Sequence, residues 1–143
     1  MTKPPFTLHG LDHIVLRVRD LQTMLRFYVD VLGCTMEKVQ EPLGLYQVRA
    51  GSSLIDLVPL DGKLGRAGGA GPGVEGRNVD HFCLRIAPFD LEALRGWLTS
   101  QGVTPGESGK RYGAEGEGPS LYLSDPEGNG VELKGVLQPG KAA

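Results

Sequence analysis

Residues 11–33 read LDHIVLRVRDLQTMLRFYVDVLG, and residues 79–102 read VDHFCLRIAPFDLEALRGWLTSQG. Both stretches open with an apolar residue and Asp-His. Both continue through an alternating run that contains Leu-Arg, and both end a helical pattern at Gly. A duplication of this size implies two copies of one supersecondary unit that share a core. A second correspondence follows: Tyr46 precedes Asp56 by the same spacing as Tyr122 precedes Glu132, and each acid lies in a short apolar run, LIDLV and GVELK.

Local patterns define the unit. From His13 to Val18, Ile14, Leu16 and Val18 share one face and His13, Val15 and Arg17 the other, which is the period of a strand. Asp20 suits a helix N-cap. Leu21, Met24, Leu25, Tyr28, Val31 and Leu32 then recur at helical spacing, and Gly33 stands where a left-handed C-terminal residue belongs. In the second copy Phe82, Leu84 and Ile86 oppose His81, Cys83 and Arg85; Asp90 suits a cap, and Gly102 closes a helix carrying Leu91, Leu94 and Leu98. Further strands are expected at 36–40, 45–50 and 53–58, and at 103–106, 119–124 and 130–136. Each half therefore reads β-α-β-β-β, and the fold class is α+β. We expect a single domain over 1–143: a first module at about 10–60, a glycine-rich linker at 61–78 read as flexible, and a second module at about 79–136. Residues 106–118, GESGKRYGAEGEG, read as a long loop of the kind that forms lids or binding loops. Trp97 and Cys83 read as core residues.

Composition narrows the classes. Fifteen basic and 17 acidic residues leave a formal charge of −2, which argues against a strongly basic nucleic-acid binder and against attraction to an anionic membrane. No apolar run approaches the roughly 20 residues of a membrane helix. The N-terminal segment MTKPPFTLHG lacks a signal-type apolar stretch, so a cytoplasmic protein with two free thiols, Cys34 and Cys83, is expected. There is no GxxxxGK[ST] sequence to cradle phosphate.

Each His begins the first strand of its half, and each acid lies on the last. If the halves are related by a pseudo-twofold axis, His13, Asp56, His81 and Glu132 occupy equivalent positions and converge. Packing alone does not ask for His twice. Two imidazoles with carboxylates suit one divalent ion, Zn, Ni, Co, Mn or Fe, and two His with one carboxylate also describe a non-haem iron triad.

With these residues in place, the chain resembles the vicinal oxygen chelate superfamily: glyoxalase I, methylmalonyl-CoA epimerase, extradiol dioxygenases, fosfomycin-inactivating thiol transferases and metal-free bleomycin-resistance proteins. LDHIVLRVRDLQTMLRFYVDVLG, VDHFCLRI and LYLSDPEGNGVEL carry the resemblance over residues 10–136. It implies two βαβββ modules forming a cupped, mostly antiparallel eight-stranded sheet with helices outside. It implies His13, His81 and Glu132 as metal ligands. Asp56 stands where the family usually has Glu or Gln, one methylene shorter, and reads as a ligand, a water-bridged neighbour or a base. The resemblance also implies a homodimer, and in some members each site is built from modules of two chains.

The implied activity is metal-dependent proton transfer of lyase or isomerase type on a small molecule that presents adjacent oxygens, with Glu132 or Asp56 as base. The alternatives are an Fe(II) dioxygenase, a thiol transferase, and a metal-free drug- or metabolite-binding protein. Arg17 and Arg85 share strand faces with the two His; they read as binders of an anionic substrate or as partners of Asp56 and Glu132. Ser120 and Tyr122 share a face before the DPEGNG turn and read as hydrogen-bonding partners of substrate oxygens.

Overall fold

The computed structural model describes residues 2–136. In the first half β1 (His13–Val18) pairs in parallel with β4 (Ser53–Pro59). Strand β4 pairs antiparallel with β3 (Leu45–Ala50), and β3 with β2 (Thr35–Gln40), giving the order β1-β4-β3-β2. The second half repeats this with β5 (His81–Ile86), β8 (Gly130–Gly135), β7 (Gly116–Ser124) and β6 (Ser108–Gly113), in the order β5-β8-β7-β6. The eight strands thus form two four-stranded sheets of identical topology. The registers match as well: Val15 lies beside Asp56, and Cys83 beside Glu132.

The helices form where the caps stand. Asp20 accepts the N–H of Thr23 at the start of α1 (Leu21–Leu25), which continues as a wider π-helical segment over Arg26–Val31. Asp90 accepts the N–H of Ala93 at the start of α3 (Leu91–Ser100). Gly33 and Gly102 follow the helices at φ +85° and +79°, a backbone conformation that costs a side-chain-bearing residue energy. The π winding is visible in Leu32 N–H donating to Phe27 O, five residues back, at 3.0 Å. It brings Phe27 inward beside Met24, Tyr28 and Val31, a residue outside the stripe read from sequence.

The strand faces opposite the two His share one core. Leu16, Ile55 and Leu57 of the first sheet join Leu121, Val131 and Leu133 of the second, with Met24, Phe27, Tyr28 and Leu98 from the helices. Each such side chain contributes about 1.5–3 kcal/mol by leaving water. Polar contacts fasten the halves together. Tyr28 Oη donates to Asp125 Oδ2 at 2.7 Å, Trp97 Nε1 donates to Val31 O at 2.8 Å, and the Glu127 carboxylate accepts the N–H groups of Arg19 and Asp20.

Four local expectations change. No strand forms at 103–106; β6 lies at 108–113, inside the stretch read as a loop, because this segment hydrogen-bonds along β7 as a hairpin. Residues 61–78 contain α2 (Lys63–Ala67), and the Arg17 guanidinium holds the turn after it. Trp97 is about half exposed, its indole N–H spent on the backbone of the other half. Cys83 is exposed, because it lies on the His81 face rather than the core face; both cysteines are free. Among the described residues no helix is long and apolar enough to cross a membrane.

Candidate active site

Each His lies at the edge of its sheet and leans toward the last strand. His81 Nε2 is 3.3 Å from Glu132 Oε1, and His13 Nε2 is 3.8 Å from Asp56 Oδ2. On the opposite side of each ring, Nδ1 is 2.7 Å from the preceding Asp: Asp12 Oδ1 for His13 and Asp80 Oδ2 for His81. These two Asp are missing from the sequence reading as functional residues, although the Asp-His dipeptide in both copies was the signal. Their side chains are 89% and 85% exposed, so packing does not hold them there. The Asp12 hydrogen bond, then the charge of Asp56, raises the His13 pKa above its ordinary value. The His81 hydrogen bond in turn lowers Asp80.

Both acids are buried and individually held. Ser120 Oγ donates to Glu132 Oε2 at 2.6 Å, and Gln47 Nε2 donates to Asp56 Oδ1 at 3.2 Å. Gln47 is a third residue absent from the sequence reading, and the reason is register. Tyr122 faces Glu132 across β7 and β8, but across β3 and β4 Gln47 faces Asp56 and Tyr46 faces Leu57. The turn beyond Ser124↔Gly130 holds one residue more than the turn beyond Arg49↔Leu54. One residue reverses every side chain to the other face, so equal spacing in sequence sends Tyr46 to the core and Tyr122 to the site.

Tyr122 packs edge-on against His81, with ring centroids 5.7 Å apart, and Arg111 lies over it at 5.4 Å. Burial, then hydrogen bonding to Glu132, pushes the Tyr122 pKa up, so its hydroxyl remains a donor at neutral pH. Partial desolvation of the sulfur against β8 and the Glu132 carboxylate likewise push the Cys83 thiol to about 11, which leaves it protonated and a poor nucleophile. A cleft of about 790 Å³ opens beside His81 and Tyr122 and is lined also by Thr23, Arg26 and Phe27.

The two arginines do not meet the acids. Arg17 donates to the carbonyls of Gly65, Gly68, Gly69 and Ala70 at 2.7–3.1 Å, and Arg85 pairs with Glu115 at 3.0 Å. Within one chain the four candidate ligands do not gather either. They stand as two pairs, one on each sheet, and the described residues contain no group of three or more His, Cys, Asp or Glu able to hold an ion. The reason is the shared core: each sheet has its own His face, and the faces are not merged into one hollow.

Each pair nonetheless presents donor types that a divalent metal takes, imidazole nitrogen and carboxylate oxygen. An imidazole that gives its Nδ1–H to a carboxylate presents the Nε2 lone pair, the usual outer-shell arrangement of a metal-binding His. Here that nitrogen faces a held carboxylate in both halves.

Comparison with known proteins agrees with this architecture. Residues 10–133 match the Glyoxalase/Bleomycin resistance protein/Dioxygenase superfamily, and the chain belongs to it. It is 30% identical over 126 residues to the glutathione transferase FosA of Serratia marcescens, covering 88% of this chain and 80% of that protein. The crystal structure of virulence protein STM3117 from Salmonella typhimurium superposes with a TM-score of 0.76 at 22% identity, covering 92% of this chain and all of that one. Integron cassette protein VCH_CASS1 of Vibrio cholerae gives 0.72 at 29% identity, covering 92% and 98%.

Proposed function

We propose that this protein is a metal-dependent enzyme whose site is completed by two copies of the chain. In that arrangement the His13–Asp56 pair of one copy faces the His81–Glu132 pair of another. The observation that carries the reading is the repeated relay of Asp, His and acid, at 2.7 and 3.8 Å in one half and 2.7 and 3.3 Å in the other. A lone His–carboxylate pair is a weak metal site; two His with Glu132 supply the three protein ligands usual at a catalytic ion.

His13, His81 and Glu132 would hold the ion, with Asp56 beside it. A divalent ion there supplies Lewis acidity to adjacent substrate oxygens. Asp56 serves as general base: Oδ1 is fixed by Gln47, and Oδ2 faces the site and takes the proton from carbon. Tyr122, protonated, donates to a substrate oxygen. Ser120 keeps Glu132 in one orientation and Cys83 takes no part as a thiolate. The reaction class is proton transfer of lyase or isomerase type on a small molecule, and the protein acts as a homodimer. A second reading, transfer of a thiol to an electrophilic substrate, draws on Ser120 and Tyr122 beside Glu132 and on the FosA relative. Consumption of thiol in the assay separates the two.

The decisive experiment mixes two dead variants. His13→Ala and His81→Ala chains each lose metal alone. Unfolded, mixed in equal amounts and refolded, they regain about a quarter of the wild-type metal, because half of the dimers are hybrids with one intact site in two. No recovery on mixing, with each variant folded, sinks the two-chain site.

A further inference from the structure

Lys134 is a buried cation that the site described above does not use. It lies two residues beyond Glu132 on β8, on the same face, and is only 5% exposed. An ammonium has three N–H donors. Nζ gives one of them to Arg111 O at 2.8 Å, and among the described residues no carboxylate lies within 4.0 Å of it. The other cations of this face are neutralised: Arg85 by Glu115 at 3.0 Å, and Arg111 by Glu107 at 3.1 Å.

The stem is closely fitted. A side chain at Gly113 would come within 2.9 Å of Lys134 Cε, so the glycine-rich hairpin leaves room for the lysine to cross β7. Ser120, which holds Glu132, is the cross-strand neighbour of Lys134. The first half has no counterpart, because Val58 occupies the equivalent register position beside Arg17. Burying a lone ammonium is costly unless a counter-charge arrives. Glu132 is the nearest candidate on the strand, and it is committed to Ser120 and His81.

We propose that Lys134 receives an oxyanion group of the substrate, a carboxylate or a phosphate, beside Glu132. The inference rests on Glu132 belonging to the substrate site, and it sharpens the reading above to an anionic substrate.

The test is calorimetric titration of the full chain as purified, with inorganic phosphate and separately with acetate, the metal content being measured on the same sample. Lys134→Arg keeps the charge, Lys134→Gln keeps a donor without charge, and Lys134→Met keeps the volume alone. Wild type and Lys134→Arg should agree within about threefold, and Lys134→Gln and Lys134→Met should bind at least about tenfold more weakly. Thermal melts identify any variant that fails to fold, and the other neutral variant then decides. Tighter phosphate identifies a phosphorylated or phosphonate substrate, and tighter acetate a carboxylate. Wild type that binds neither anion, or a folded neutral variant that binds as well as wild type, overturns the proposal. Failure of the metal reading is distinguishable: protein without metal whose anion binding still depends on Lys134 keeps this inference and loses that one.

Discussion

At corresponding places on the two sheets, Gln47 faces Asp56 while Tyr122 faces Glu132, and Val58 stands where Lys134 does. Strand order and the His–acid register are the same in both. The first half offers an imidazole, a short carboxylate and an amide; the second adds a phenol, a hydroxyl, a thiol and a buried ammonium. The arginines diverge in the same sense. Arg17 is consumed by four carbonyls, one within α2 and three after it, whereas Arg85 pairs on the surface with Glu115. The two halves thus share what builds a sheet and differ in the polar side chains of their His faces, which are more varied in the second copy.

Separating the two acids tests this contrast most severely. Glu132→Gln should abolish metal uptake measured by elemental analysis. Asp56→Asn should keep the metal and lower turnover by about 10²–10⁴, the usual worth of a general base. Equal loss of metal in both variants would make the halves equivalent and remove the base from Asp56.

The flanking Asp come next. Asp80→Asn and Asp12→Asn should each weaken metal affinity about 10–100-fold in chelator competition, without changing the fold. An unchanged affinity would mean that the 2.7 Å contacts do not orient the rings.

Between the halves, Tyr28→Phe leaves the buried Asp125 carboxylate one donor short. It should cost about 1.5–3 kcal/mol in urea unfolding, the range for a hydrogen bond to a charged group. A smaller loss would show that Asn129 and the backbone N–H groups of the turn suffice for Asp125.

The smallest effect concerns pH. His13 has its pKa raised in the folded chain, so protonated His13 stabilises the metal-free fold fully below 6.5, and that contribution is lost as pH rises through the raised value. A bound metal needs the neutral ring, so affinity should fall as pH drops, with a midpoint above 6.5 that moves down in Asp12→Asn. A midpoint unaffected by that substitution would mean that Asp12 does not set the His13 titration.

Much of this was legible in the chain itself. Alternation over 13–18 and 81–86 settles which side chains share a face with each His, and Asp20 and Asp90 start helices through local side-chain bonds that need no distant partner. The repeated Asp-His and the acids of LIDLV and GVELK mark the candidate ligands. Such features follow from periods of two and about 3.6 residues, which act over a few positions.

Tertiary structure decided the rest, because pairings between distant segments depend on register and on which faces join the core. One extra residue in the β7–β8 turn put Tyr122 into the site and left Gln47, not Tyr46, on Asp56. Backbone pairing made a hairpin of the glycine-rich 108–124 segment, and the turn after α2 claimed Arg17. The merging of both sheets into one core left the two His–acid pairs apart within a chain, an outcome no local pattern encodes.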